Sequence, residues 1–416
     1  MTESFNQLTE YFPICRRILG DNAWERILSA LEHSEPWDFV QYISHVQGNI
    51  DVPEYLPDTA LLEFNYQKFR RNPGSIPKVV DAMMVNPDLH LIPSQWRHLS
   101  FLFNSQDNPG QAAPEKKDSH VLVWRHPITG EVLCREALDE DLLALKLVVD
   151  AIDIKAAASG GGTPPGKLMA ILHRAVEQGL LINPESGICR DPEFFPADGF
   201  SRSFLQTDVF TLQWHITQVC DLHCRHCYDR SDRTRLSLSD ARSVLDTLFD
   251  FIQKMNARGH VTFTGGNPLL YPDFTELYQR AADMGFSIAI LGNPASAEIL
   301  DTLLDIQPMT HFQISLEGLE SYNDYIRGPG HFKRSLSFLE TLRKKNIYSM
   351  VMLTLNRDNM DQVLPLAEVL KDRADSFTFN RLAMVGEAET LSLPTPQDFK
   401  TFLHDYVCAA QSNPVL

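Results

Sequence analysis

The sequence predicts an α/β protein whose main domain, residues 206–392, is built on a parallel β-sheet. Six short apolar segments recur after residue 209, and amphipathic helical patterns separate them. Strands and helices that alternate in this way imply a parallel sheet, whose strands are joined by right-handed crossovers. Six units are fewer than the eight of a closed barrel, so we expect an open, partial (β/α)6 barrel.

The predicted strands are apolar runs of five to seven residues, at 210–216, 260–264, 287–291, 311–316, 349–354 and 376–380. Helical patterns between them cover about 239–255, 273–284, 295–304, 331–345 and 359–372. In the first of these, Ala241, Leu245 and Leu248 fall on one stripe, and Ser239 is the predicted N-cap. Chemistry in parallel β/α barrels lies at the C-terminal ends of the strands, so functional residues are sought there.

The region before the sheet is predicted to be mostly α-helical, with a helical domain over residues 1–103. A polar stretch with Pro and Gly, residues 104–119, has the composition of a linker. Residues 120–205 predict a small α/β unit that resembles a winged helix: strands at 120–125 and 131–135 are followed by helices at 141–154 and 167–178. Residues 393–416 are expected to begin a C-terminal region that is truncated here.

Composition limits the classes of function. The 416 residues carry a formal net charge of -17, which argues against a nucleic-acid partner because phosphate contacts need clustered Lys and Arg. No apolar run approaches ~18 residues, so no membrane span is predicted. The N-terminus shows no secretory signal, and a cytoplasmic location is expected.

Three of the seven cysteines, Cys220, Cys224 and Cys227, lie in one short loop just after the first predicted strand. In a cytosolic chain such a triplet predicts a metal site and not a disulfide framework. Thiolates suit iron–sulfur clusters, and three of them leave one iron of a four-iron cube open. A structural zinc site that also uses His223 or His226 is the competing interpretation.

The spacing Cys-x3-Cys-x2-Cys, followed by the aromatic Tyr228, resembles the cluster loop of radical S-adenosylmethionine (SAM) enzymes. The resemblance implies a [4Fe-4S] cluster whose open iron chelates the amino and carboxylate groups of SAM. It also implies one-electron cleavage of SAM to a 5′-deoxyadenosyl radical, which abstracts a hydrogen atom from the substrate.

Polar motifs at successive strand ends match the same family, and the resemblance implies that they contact SAM. These residues are Gly265, Gly266, Asn267, Asn293, Ser315, Arg327, Leu355 and Asn356. The glycines would expose carbonyls to the SAM ammonium, and Arg327 would pair with the SAM carboxylate. Asn267 departs from the family, which usually has Glu at this position. Val385-Gly-Glu-Ala resembles the last contact on the adenine side.

The segments Gln313-Ile-Ser-Leu-Glu-Gly and Tyr322-Asn-Asp-Tyr-Ile-Arg-Gly resemble the SPASM-type branch, which modifies peptides. The run over residues 210–233 resembles maturases of selenobiotic-type, thio(seleno)oxazole peptides. The implied partners are a ribosomal precursor peptide and a low-potential electron donor of the flavodoxin or ferredoxin type. After Cys227 only Cys408 remains, so the auxiliary clusters of that branch cannot be built from this sequence.

Two alternative functions stay open. One is a sulfatase-maturase-like or small-molecule radical SAM enzyme. The other, of a different class, is a zinc-stabilised binding protein.

Overall fold

The computed structural model describes residues 8–31, 34–45, 52–104, 113–191, 193–195, 199–229 and 236–416. The chain divides into two compact units, Met1–Glu185 and Ser186–Leu416. Among the described residues, no helix combines the length and the apolar character needed to cross a membrane.

Helices begin the first unit: α1 Pro13–Ala30, α2 Pro36–His45 and α3 Leu56–Arg71. Helix α1 is broken at Gly20, whose φ of 71° lies in the left-handed region. Buried aromatic residues Phe12, Trp24 and Phe39 pack together in the core of these helices. The first part of the predicted helical domain thus contains helices α1, α2 and α3.

Strands follow in the same unit: β1 Met84–Val85, β2 Leu89–Arg97, β3 Glu115–Arg125, β4 Val132–Glu136 and β5 Leu181–Ile182. Strands β2, β3 and β4 form an antiparallel sheet in that order, and β1 pairs with β5. The remaining helices are α4 Phe101–Asn104, α5 Asp139–Val149, α6 Ile154–Gly161 and α7 Pro165–Glu177.

The structure corrects the predicted boundary between 1–103 and 120–205. Strand β2 lies within residues 1–103, which were predicted to be helical. It pairs with β3, and the first residues of β3, 115–119, fall in the predicted linker. Residues 115–119 belong to β3 because backbone pairing with β2 holds them, although most of their side chains are exposed and polar. Residues 105–112 of the predicted linker lie outside the described residues. The polar composition of residues 115–119 therefore led to the wrong prediction of a linker, because these residues form the exposed end of a strand.

The second unit contains six parallel strands: β6 Val209–Thr217, β7 Arg258–Gly265, β8 Ser287–Leu291, β9 His311–Ser315, β10 Ser349–Leu355 and β11 Ser376–Arg381. They form one sheet in sequence order from β6 to β11. The predicted α/β class and the six parallel strands are confirmed, and all six carboxyl ends meet at one edge of the sheet.

The helices of this unit are α8 Arg202–Leu205, α9 Leu238–Lys254, α10 Phe274–Asp283, α11 Ala297–Ile306, α12 Glu320–Arg327, α13 His331–Lys344, α14 Val363–Leu370 and α15 Pro396–Ala410. Helix α9 begins at Leu238, and its N-cap lies two residues before the predicted N-cap Ser239. Its N-cap is Ser237, whose hydroxyl accepts a hydrogen bond from the backbone N–H of Asp240. Ala241, Leu245 and Leu248 are buried on one stripe of α9, as predicted.

Candidate active site

A cavity of about 810 Å³ lies at the carboxyl ends of the six strands. Each strand contributes at least one side chain to its wall: His215, Thr264, Leu291, Ser315, Thr354 and Asn380. The three cysteines of the loop after β6 line the same cavity. The fold therefore brings the cysteine loop and the strand ends, distant in sequence, to one site.

Backbone hydrogen bonds hold the cysteine loop on two sides. Arg225 donates its N–H to the carbonyl of Ile326 at 3.0 Å, and its guanidinium lies over the ring of Tyr325, 4.3 Å from the ring centre. Glu387 donates its N–H to the carbonyl of Cys227 at 3.0 Å. The Val385-Gly-Glu-Ala segment thus contacts the backbone of the third cysteine.

Gly265 and Gly266 let strand β7 approach the beginning of this loop. A Cβ on Gly265 would lie 2.2 Å from the carbonyl oxygen of Thr217, and one on Gly266 would lie 2.3 Å from that of Val219. Gly265 also has a φ of 139°, which L side chains rarely adopt. Gly266 donates its N–H to the carbonyl of Thr217 at 2.8 Å. The glycines are required here by close packing of backbone on backbone.

Two buried amides hold Asp221, which lies between the first and second cysteines. Asn267 and Asn293 each donate from Nδ2 to Oδ1 of Asp221, at 3.0 Å and 2.6 Å. The Nδ2 of Asn293 also lies 3.6 Å from Sγ of Cys220. The ends of β7 and β8 therefore fix the position of the first cysteine through one carboxylate.

A buried ion pair contacts the second cysteine. Arg327 donates from Nε and Nη2 to Oε1 of Glu317, at 2.8 Å and 2.6 Å, and its Nη1 lies 3.8 Å from Sγ of Cys224. The Nε2 atom of His226 is 3.3 Å from the same Glu317 oxygen. The side chain of Glu317 is only 1% exposed, and those of His226 and Arg327 are 10% exposed.

Charge and burial act in opposite directions on these groups. Burial alone raises the pKa of Glu317, but the neighbouring His226 and Arg327 and the backbone N–H of Thr354 outweigh it and hold that pKa at about 2. Burial raises the pKa of the Cys224 thiol, while the charge of Arg327 acts against this rise. The guanidinium of Arg327 therefore acts directly on the pKa of Cys224.

The donor set fits an iron–sulfur cluster. Three thiols, none in a disulfide, face one cavity, and soft thiolates are the ligands such clusters use. Within the described ranges, no group of three His, Cys, Asp or Glu side chains is arranged to hold one metal ion.

The predicted site residues divide into two groups. Gly265, Gly266, Asn293, Ser315, Arg327 and Tyr228 line the cavity with the three cysteines. Asn267, Leu355 and Asn356 lie outside the cavity wall, and each is at least 96% buried. Thr354 stands in the wall instead, because side chains alternate along β10.

Sequence reasoning missed the contacts of Asp221, Glu317 and His226. Asp221 and His226 lie in the cysteine loop, and Glu317 lies in the Gln313-Ile-Ser-Leu-Glu-Gly motif. Charged and polar residues within these motifs are the signal that could have found them. Tyr228, predicted to contact the cofactor, also places its hydroxyl 2.9 Å from Nε2 of His215.

Comparison with known proteins finds matches to part of the second unit. Residues 214–370 match the model of the Radical SAM superfamily. The sporulation killing factor maturation protein SkfB of Bacillus subtilis strain 168 is 30% identical over 189 residues, which cover 43% of each chain. The AdoMet-dependent heme synthase of Methanosarcina barkeri is 24% identical over 200 residues, 46% of this chain and 56% of that protein.

Mycofactocin maturase MftC of Mycobacterium tuberculosis strain H37Rv is 27% identical over 205 residues, 47% of this chain and 51% of that protein. This chain therefore spans about half the length of the curated relatives it matches. Among solved structures, Streptococcus suis SuiB bound to precursor peptide SuiA aligns with a TM-score of 0.43 and 16% identity, over 80% of this chain and 72% of SuiB. Enzymes of the matched superfamily use a [4Fe-4S] cluster and SAM. Residues 214–370 of this chain therefore form a radical SAM domain.

Proposed function

We propose that this protein is a radical SAM enzyme that modifies a ribosomally synthesised peptide by abstracting a hydrogen atom from it. One observation carries the proposal: three cysteines and the polar ends of the parallel strands line a single cavity of about 810 Å³. Concave sites of this size are typical of cofactor and substrate binding.

Each part of the site has a role in this proposal. Cys220, Cys224 and Cys227 would bind the cluster. A bound cluster with SAM supplies one-electron reductive cleavage of SAM and, from it, removal of a substrate hydrogen atom. Ser315 and Asn293, which line the cavity, would hydrogen-bond polar groups of SAM. Asn267 would act indirectly, because its amide holds Asp221 and, through it, the cysteine loop.

A peptide substrate is supported by the relatives named as maturation proteins, SkfB and MftC. The heme synthase and an Fe-coproporphyrin III synthase of M. barkeri, 26% identical over 186 residues, favour a second candidate, a tetrapyrrole substrate. These relatives match only part of this chain, so substrate class is a proposal for both candidates.

The finer architecture and partners complete the proposal. The six-stranded sheet would be a partial barrel, with its substrate entering at the carboxyl ends of the strands. In the first unit, the antiparallel β2–β4 sheet followed by α5, α6 and α7 would be a winged-helix-like module. Strand β4 lies at one edge of that sheet and could add an extended peptide as a further strand, which would dock the substrate. A flavodoxin or ferredoxin would supply the electron in the cytoplasm.

The test begins with cofactor content and SAM cleavage. Anaerobic reconstitution with iron and sulfide should give about four irons per chain and dithionite-dependent formation of 5′-deoxyadenosine. Cys224→Ala should abolish both, whereas Cys408→Ala, an exposed cysteine on α15, should change neither. Continued SAM cleavage by Cys224→Ala would overturn the proposal. One zinc per chain and no iron would support the zinc-stabilised alternative.

Substrate class is tested separately by mass spectrometry. The reconstituted enzyme is incubated with SAM and either a short peptide encoded beside its gene or iron coproporphyrin III. A mass change in the peptide alone supports the peptide proposal. A change in the porphyrin alone favours the second candidate.

A further inference from the structure

The ion pair between Glu317 and Arg327 lies next to the second cysteine, Cys224. Glu317 follows the end of β9, and Arg327 is the last residue of helix α12. Two of the three guanidinium nitrogens of Arg327 donate to Glu317, and the third, Nη1, lies 3.8 Å from Sγ of Cys224. The geometry thus differs from the predicted one, in which this guanidinium meets the SAM carboxylate.

Glu317 is itself held from several directions. Its Oε2 accepts the backbone N–H of Thr354 at 2.8 Å, and its own backbone N–H donates to Oδ1 of Asn323 at 3.1 Å. The amide of Asn359 donates to the Glu317 carbonyl at 2.9 Å. A carboxylate with this many fixed partners can hold the guanidinium in one orientation.

Charge gives this arrangement a consequence for an iron–sulfur cluster. The reduced form of a cluster carries one more negative charge than the oxidised form, and nearby net charge is one determinant of its potential. A guanidinium beside a ligand sulfur, with its charge uncompensated, would favour the reduced form. The buried carboxylate of Glu317, 2.6 Å from Nη2 of Arg327, opposes that charge while leaving Nη1 directed at the sulfur.

We infer that Glu317 is a positioning residue that orients Arg327 against Cys224 and, by cancelling its charge, keeps the cluster at a low reduction potential. This inference rests on the proposed function, because it requires a cluster on the three cysteines. A low potential is what makes a cluster able to reduce SAM, so Glu317 would act on electron transfer through Arg327. It would touch neither SAM nor substrate.

The test is the one-electron midpoint potential of the reconstituted cluster in the absence of SAM, measured by an anaerobic redox titration followed by electron paramagnetic resonance. Glu317→Gln keeps the size of the side chain and removes its charge, so the potential should become less negative. Arg327→Gln should move it in the opposite direction, and the double variant should lie close to wild type. SAM affinity is measured in parallel by equilibrium binding.

Asp246→Asn is the matched control, because it breaks an Asp–Arg pair of the same unit on helices α9 and α10 that does not line the cavity. Its potential should equal that of wild type. A wild-type potential in both fully loaded single variants, with only SAM affinity reduced in Arg327→Gln, would overturn the inference and return Arg327 to the SAM carboxylate. Failure of the wild-type chain to assemble a cluster would instead contradict the proposed function.

Discussion

Asn267 donates a hydrogen bond from its side-chain amide to the carboxylate of Asp221, at 3.0 Å. Asn293 donates to the same carboxylate oxygen at 2.6 Å. Radical SAM sequences usually carry Glu where this chain has Asn267, and here the negative charge stands in the cysteine loop, on Asp221. The amide at position 267 is therefore matched to its partner, because a carboxylate there would face another carboxylate.

Asn267→Glu, which brings back the usual residue of the family, should damage this protein. It places two carboxylates in contact at a position that is 96% buried, and repulsion with desolvation should cost roughly 2–4 kcal/mol. We expect a lower urea midpoint and less iron per chain after reconstitution. The double variant Asp221→Asn with Asn267→Glu restores one donor and one acceptor and should recover both properties. An undamaged single variant would contradict the matching of these two residues.

This pair also shows where sequence reasoning stops. The cysteines, the six strands and the motif at Asn267 could be predicted because each is a local pattern. The partner of Asn267 lies 46 residues away, and only the parallel pairing of β6 with β7 brings the two side chains together. Likewise Arg327 was matched to the family by position, but its partner Glu317 is set by the path of the chain between β9 and α12.

Strand β2 was missed for a related reason. Pro93 and Ser94 interrupt its apolar pattern, so the local sequence does not predict a strand. Pairing with β3 stabilises the strand instead. Residues 115–119 gave the opposite error, since exposed polar side chains on a paired strand have the composition of a linker. In both cases tertiary pairing overrides local propensity.

Gly266→Ala should prevent the cysteine loop from reaching its native position. The added Cβ would lie 2.3 Å from the carbonyl oxygen of Val219 and 2.6 Å from that of Gln218, so backbone would have to move. We expect a loss of roughly 2–3 kcal/mol in unfolding free energy and reduced iron binding. Gly160→Ala in helix α6 is the control, because a Cβ there meets no other atom within 4 Å and favours the helix. Normal iron content in Gly266→Ala would show that the loop tolerates the shift.

Asn359→Asp should loosen the junction between β9 and β10. The fully buried amide of Asn359 donates to the carbonyls of Glu317 and Thr354, at 2.9 Å and 3.1 Å, and its Oδ1 accepts the N–H of Asn356. The substitution keeps the acceptor and removes both donors, which should cost roughly 2–4 kcal/mol in chemical unfolding. Stability within about 0.5 kcal/mol of wild type would mean that water replaces the lost donors.

Glu63 makes the stability of the first unit depend on pH. Its carboxyl group accepts the backbone N–H groups of Ile14 and Cys15, at 2.6 Å and 2.8 Å, in the first turn of helix α1. Burial nevertheless raises the pKa of Glu63 to about 7, against the opposing effect of these hydrogen bonds. The side chain is therefore protonated in the folded state at a pH where it is ionised in the unfolded chain.

A folded pKa above the unfolded value of about 4.3 means that the contribution of Glu63 is complete below pH 4 and is lost as pH rises through about 7. Between pH 5 and pH 8 the loss should be about 2–3 kcal/mol. Urea unfolding followed by circular dichroism should show this fall in wild type beyond any fall seen in Glu63→Gln, which keeps an acceptor for one N–H but cannot titrate. Parallel pH profiles for the two proteins would contradict the raised pKa, because every other titrating group is common to both.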